Sequence, residues 1–81
     1  MNIIKAGNVE LSEAEALDIY NNKQYVCSYC GIYQPHYSEV NRQVYFTKVI
    51  EHKGYARRGR FFIQTAEQIN KVLGQRILIE A

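Results

Sequence analysis

Proline occurs once in this sequence, at Pro35, and tryptophan not at all. With a single proline and five glycines there is little material for long loops or linkers, which excludes a beads-on-a-string arrangement. Cysteine is nearly as scarce. Two residues cannot build the multi-bridge framework of a small secreted domain, so both thiols are expected free or metal-bound in a reducing cytoplasm. No apolar run approaches the ~18 residues that a membrane span requires, and no charged-then-apolar leader runs into a small-residue cleavage site. The expectation is a cytoplasmic protein without membrane contact. A dominant charge is missing too. Ten lysines and arginines against eight acids leave a formal charge of +2, too small to imply a polyanionic partner by itself.

What is present describes a folded chain. A hydrophobic share of 47% with 22% charged residues argues against disorder. Residues 1–81 are expected to form one small domain with a stability margin of a few kcal/mol, on the order usual for so little buried surface. The charges are segregated: Glu10, Glu13, Glu15 and Asp18 crowd the first quarter, and Lys48, Lys53, Arg57, Arg58 and Arg60 the third.

Two helix starts are written in the sequence. Ser12 with Glu15, and Thr65 with Gln68, have the spacing of a reciprocal capping box. Ala14, Leu17 and Tyr20, with Ala16 beside them, form the expected buried stripe of the first helix; Ala66, Ile69, Val72 and Leu73 form that of the second, which Gly74 closes. Between and around them lie apolar runs read as strands: Asn2–Ala6, Tyr25–Tyr33, Val44–Ile50, Arg60–Gln64 and Gln75–Glu80. Gly7 and Asn8 make a turn; Gln34 to Glu39 interrupts the apolar run after Tyr33, and Pro35, which lacks a ladder donor, marks an edge, a bulge or a turn. A hairpin turn is expected over residues 40–43, with Asn41 at positive φ. Val44–Ile50 is apolar on both faces and so is placed centrally. The predicted fold class is α+β, in the order β-α-β-β-β-α-β, with a mixed or antiparallel sheet and both helices packed on one face.

The stretch Tyr25–Tyr33 holds both cysteines and admits two readings. As a strand it sends Cys27 and Cys30 to opposite faces and lines up Tyr25, Tyr29 and Tyr33, a tyrosine face that Tyr45 extends. Such a face is large, stiff and amphipathic, which suits a protein interface; it equally suits a sheet covered by its own side chains. As a zinc knuckle, the chain folds between the cysteines, Gly31 lets the sulfurs converge, and His36 and His52 complete the ligands. The strand is the preferred reading, with no cofactor expected and zinc the alternative.

A second stretch runs from Lys53 to Arg60, with four cations in eight residues: Lys53, Arg57, Arg58 and Arg60. With Tyr55 inside the loop and Phe61 and Phe62 behind it, this composition suits single-stranded nucleic acid, since arginine clamps phosphate and rings stack on bases. The plainer reading is a solvated hairpin loop whose cations keep a sheet edge from pairing. Metal-free RNA cleavage by His36 or His52 with Arg58 and Tyr55 is a remote third reading. No nucleophile elbow, phosphate-binding glycine loop or paired-carboxylate spacing accompanies it, so an enzyme is not expected. In size and composition alone the chain is similar to small accessory proteins of phages and mobile elements, which implies binding to a host protein. The expectation is therefore a non-enzymatic binding module that meets a protein partner through its tyrosine face and basic loop. Nucleic acid is the alternative, and no oligomeric state is assigned.

Overall fold

The computed structural model describes residues 3–74. Within them the order is β1 (Ile3–Ala6), β2 (Val9–Ser12), α1 (Glu13–Asn21), β3 (Gln24–Ser28), β4 (Gly31–Ser38), β5 (Gln43–Glu51), β6 (Phe61–Thr65) and α2 (Ala66–Leu73). The α+β class stands, and the element order differs from the expected one. The strand expected over Gln75–Glu80 lies outside the described residues.

Both helix starts form as their sequences direct. Ser12 Oγ accepts from the Glu15 N–H and Glu15 Oε1 accepts from the Ser12 N–H; Thr65 and Gln68 repeat the exchange. The bond from the Ser12 N–H, then that with its hydroxyl, holds the Glu15 carboxyl below its usual range. That contribution is present above the ordinary carboxylate range and is lost as pH falls through the lowered value. Ser12→Ala and Thr65→Ala are each expected to cost ~1 kcal/mol, read as a shifted midpoint in urea melts. Midpoints equal to the parent's would mean the boxes add nothing.

The four-stranded sheet is antiparallel, in the order β5-β4-β3-β6, and β1-β2 is a separate hairpin turned by Gly7 and Asn8. Four expectations are corrected here. First, Tyr25–Tyr33 is two strands rather than one. The chain reverses at Tyr29 and Cys30, so Val26 pairs Tyr33 and Cys27 pairs Ile32. The Ser28 hydroxyl donates to the Gly31 carbonyl and closes this turn. Second, among the described residues β5 is an end strand, not a central one; Tyr45 and Val49 on it are exposed. Third, Glu39–Arg42 is the β4–β5 loop, and Arg42 rather than Asn41 takes positive φ, at 52°. The Asn41 N–H instead donates to Ser38 Oγ. Fourth, residues 34–38 continue the strand rather than interrupt it; Pro35 sits inside β4 opposite Phe46, past the point where pairing with β3 ends, and so marks a one-sided edge as expected.

Partners across an antiparallel ladder share a face, so register sorts the core. Val26, Tyr33, Phe46 and Ile63 face the β1-β2 hairpin and α1, meeting Ala6, Val9, Leu11 and Ile19. Tyr25, Cys27, Ile32 and Ile50 face the other way, against Ala66, Ile69 and Leu73 of α2. The helices therefore cover opposite faces, not one. On α1 the buried residues are Ala16 and Ile19, while Leu17 and Tyr20 are exposed, so the stripe lies about one residue round from the expected Ala14–Leu17–Tyr20. The reason is local. Ala16 is small enough to let α1 close on Ile4 and Val44 at the β5 end of the sheet. On α2, Val72 is exposed and Ala66 and Ile69 carry the contact.

Candidate functional site

The β3–β4 turn forms a tip at one end of the sheet, flanked by the end of β5 and the start of β6. Gly31 pairs Glu51 on one side of it, and Ser28 pairs Phe61 on the other. Because β5 and β6 lie at opposite ends of the sheet, residues 52–60 cannot be a hairpin loop. They form a strap that rounds the tip from one face to the other.

Each stage of the strap is held. The Gly54 N–H donates to the Tyr29 carbonyl at 2.8 Å. The Tyr55 hydroxyl donates to Gln64 Oε1 at 2.9 Å, and its ring joins the cluster beneath α2. Burial, then the nearby Cys27 sulfur, pushes the Tyr55 phenol up. Ala56 is buried. The Arg58 guanidinium then lies 5.0 Å from the centre of the Tyr29 ring, with Nη2 at 3.5 Å from its hydroxyl. The Arg60 N–H closes a turn onto the Arg57 carbonyl. Lys53, Arg57, Arg58 and Arg60 all remain exposed.

Where the strap descends on the hairpin side it borders a cavity of about 490 Å³ lined by Tyr29, Cys30, Arg58, Arg60 and Phe61, with Asn8, Val9 and Glu10 opposite. Phe61 and Phe62 are about 40% exposed, at 41% and 39%, so neither ring is consumed by the sheet. They point to opposite faces. Phe61 lines this cavity, and Phe62 meets Tyr55 at 5.6 Å between centroids. Among the described residues Glu10 is the one carboxylate on the cavity wall, 3.8 Å from Lys5 in an exposed pair. Asn8 and Glu10 carry no motif. Only the β1-β2 hairpin brings them to the tip, so reading along the chain could not find them.

The other sequence candidates disperse. The tyrosine face does not form, because the turn at Tyr29 inverts the strand: Tyr25 and Tyr33 are buried on opposite faces, at 6% and 8% exposure. Tyr29 sits in the turn beneath Arg58, and Tyr45 stacks on His36, exposed. The metal set does not assemble either; among the described residues no three His, Cys, Asp or Glu side chains are gathered. The chain does fold between the cysteines as a knuckle would, but the sulfurs part. Cys27 Sγ lies 3.6 Å from Gln64 Oε1 beneath α2, whereas Cys30 Sγ lies 3.9 Å from Asn8 Nδ2 on the hairpin side. His36 hydrogen-bonds Thr47 Oγ1 at 2.7 Å. His52 packs its ring edge-on to Tyr55. Seven positions along β5 separate Tyr45, the partner of His36, from His52, roughly 20 Å at the usual strand rise, too far for one acid–base pair or one ion.

Burial pushes the Cys27 thiol up to about 12. It stays protonated at neutral pH, and a thiol is neither nucleophile nor ligand. At pH 8 a thiol-specific alkylating reagent is therefore expected to label Cys30 and spare Cys27, by peptide mass mapping of the folded protein. The raised value also predicts falling stability from about pH 9 up to about 12, because the unfolded thiol there loses a proton that the folded one keeps. Labelling of both cysteines at equal rates would contradict the buried placement.

Among the described residues no helix is long and apolar enough to cross a membrane. A scan against protein-family models, a search of curated proteins and a search of solved structures each returned no match.

Proposed function

We propose that this protein is a non-enzymatic binding module whose working surface is the strap-crossed tip, and that its ligand is single-stranded nucleic acid. One observation carries the reading: a single cavity is bordered by two guanidinium groups, Arg58 and Arg60, and by the rings of Tyr29 and Phe61. Stacking surface and phosphate clamps then stand within one nucleotide of each other, the combination that sequence-tolerant single-strand binders use. Arg57 and Lys53 continue the positive edge along the strap. Lys5 beside Glu10 keeps that wall carboxylate from opposing it alone. The anchoring bonds to Tyr29 and Gln64 hold the strap itself in place before any ligand arrives, which lowers the ordering cost of binding.

A protein partner is the second reading, and the exposed arginines support it when that partner is acidic. It loses the tyrosine face as its contact surface, since Tyr25 and Tyr33 are buried. The two readings separate on Phe61. Stacking on a base is worth about 1–3 kcal/mol, so Phe61→Ser should weaken binding of a mixed-sequence single-stranded oligonucleotide by roughly tenfold or more. Its effect on folding should be small, because the ring is already 41% exposed. The measurement is a filter-binding titration at two salt concentrations, where affinity should fall at a slope of about −0.7 per phosphate contact. An oligonucleotide that fails to bind at low salt leaves the acidic-protein reading in place.

A further inference from the structure

We propose that the single strand seated at the tip continues along the strap to a second base-binding site on the α2 side of the sheet, built from His52, Tyr55, Phe62, Gln64 and Val72. The inference rests on the tip binding single-stranded nucleic acid and adds a second station to it. Phe61 and Phe62 are neighbours on β6, so their side chains take opposite faces. Phe61 lines the cavity on the hairpin side. Phe62 pairs Cys27 across the ladder and shares the face that α2 covers, yet its ring is left 39% exposed. There it borders a second cavity of about 270 Å³, whose wall also holds His52, Tyr55, Gln64, Val72 and Leu73. That volume falls just short of the ~300 Å³ at which sites for drug-sized ligands begin, so it fits a single base better than a larger molecule.

The wall has the chemistry a base needs. The Tyr55 and Phe62 rings lie 5.6 Å apart between centroids, tilted by 36°, and His52 meets Tyr55 edge-on at 5.5 Å. The Tyr55 hydroxyl donates to Gln64 Oε1, which holds the ring pair before a ligand arrives. Gln64 adds a carboxamide to the wall, and Val72, 65% exposed, adds an apolar flank. Continuity selects nucleic acid over another planar group. His52, Gly54 and Tyr55 at the start of the strap line this cavity, and Arg58, Gly59 and Arg60 at its end line the other. Between and beside them the strap carries exposed Lys53 and Arg57. One cationic path thereby joins two aromatic cavities on opposite faces. A strand with its phosphates on the path and its bases in the cavities uses all of it. An isolated aromatic ligand would gain from the rings and nothing from the path.

The test is an NMR titration at low salt with a dinucleotide, too short to round the tip, and with a decanucleotide of mixed sequence. The dinucleotide is expected to move amides at the tip alone. The decanucleotide should move those of His52, Gly54, Gln64 and Val72 as well. Phe62→Ser should weaken the decanucleotide roughly tenfold, the loss of one stacked base, and leave the dinucleotide unchanged. Because Phe62 also packs on Tyr55, a second variant is needed. Val72→Glu sets a carboxylate on the wall outside the ring pair and should give the same split, with a melt within a few degrees of the parent's. Val40→Glu adds the same charge in the β4–β5 loop, at the opposite end of the sheet from the tip, and should change neither affinity. Decanucleotide binding that Phe61→Ser weakens, but that Phe62→Ser and Val72→Glu leave at the parent's value, overturns the second site and keeps the tip. Val40→Glu as damaging as Val72→Glu overturns it too, as an effect of net charge alone. A decanucleotide that fails to bind at low salt removes the tip reading and the second site together.

Discussion

Replacing Arg57, Arg58 and Arg60 together by glutamine is expected to weaken binding of single-stranded nucleic acid severely while leaving the fold intact. All three side chains are exposed, and the strap is anchored by other groups: the Gly54 N–H, the Tyr55 hydroxyl and buried Ala56. The substitutions therefore remove ligand contacts rather than core. Arg58 also gives up its stack on Tyr29, which is solvated and costs little, on the order of 0.5–1 kcal/mol. Three charge-assisted contacts at about 1 kcal/mol each amount to roughly a hundredfold loss of affinity. The salt slope should flatten by about 2, because three phosphates at ~0.7 each would no longer be neutralised. Circular dichroism melts control for folding, and a variant that binds as tightly as the parent would remove the strap from the site.

The second large effect concerns stability. Gly31→Ala is expected to unfold the protein or lower its Tm steeply. Gly31 follows the tip turn at φ +154° and pairs Glu51, and a Cβ there would run into the carbonyl oxygen of Ile50. That oxygen belongs to the backbone of the neighbouring strand and cannot swing aside as a side chain would. The strained conformation and the clash together are worth ~3 kcal/mol, which is roughly 15 °C in Tm for a domain of this size. Gly59→Ala is the matched control. Gly59 also has positive φ, +75°, but a Cβ there meets open space, so only the backbone term of about 1 kcal/mol applies. If the two variants melt together, the close approach of β5 to the tip is wrong.

The tip explains why reading along the chain found the cations but misplaced much around them. The capping boxes were legible because each is a contact between residues three apart, Ser12 with Glu15 and Thr65 with Gln68. The cluster Lys53–Arg60 was legible for the same reason, as local composition. The turn at Tyr29 and Cys30 was not, because an aromatic and a thiol are ordinary strand residues. Only Ser28 and Gly31, on either side, carry its geometry. Missing that turn assigned one face to Tyr25 and Tyr33, which lie on two, and hid the fact that Tyr29 receives Arg58 from twenty-nine residues away. β2 escaped because Val9, Glu10 and Leu11 offer only one and a half alternations before the Ser12 cap. Strand order is wholly non-local. Val44–Ile50 is apolar on both faces yet ends the sheet among the described residues, where Val44 and Phe46 pack inward while Tyr45 and Val49 are exposed.

The account turns on where a single strand would sit, and a map of amide chemical-shift changes tests that most directly. Adding a short mixed-sequence single-stranded oligonucleotide at low salt should perturb the amides of Tyr29, Cys30 and residues 57–62 first and most. Asn8 and Glu10 should follow across the cavity, with little change on α2 or on the outer half of β5. A map without shifts at the tip, or one centred on His36 and Tyr45, would contradict the account and leave the strap a structural clasp around the end of the sheet.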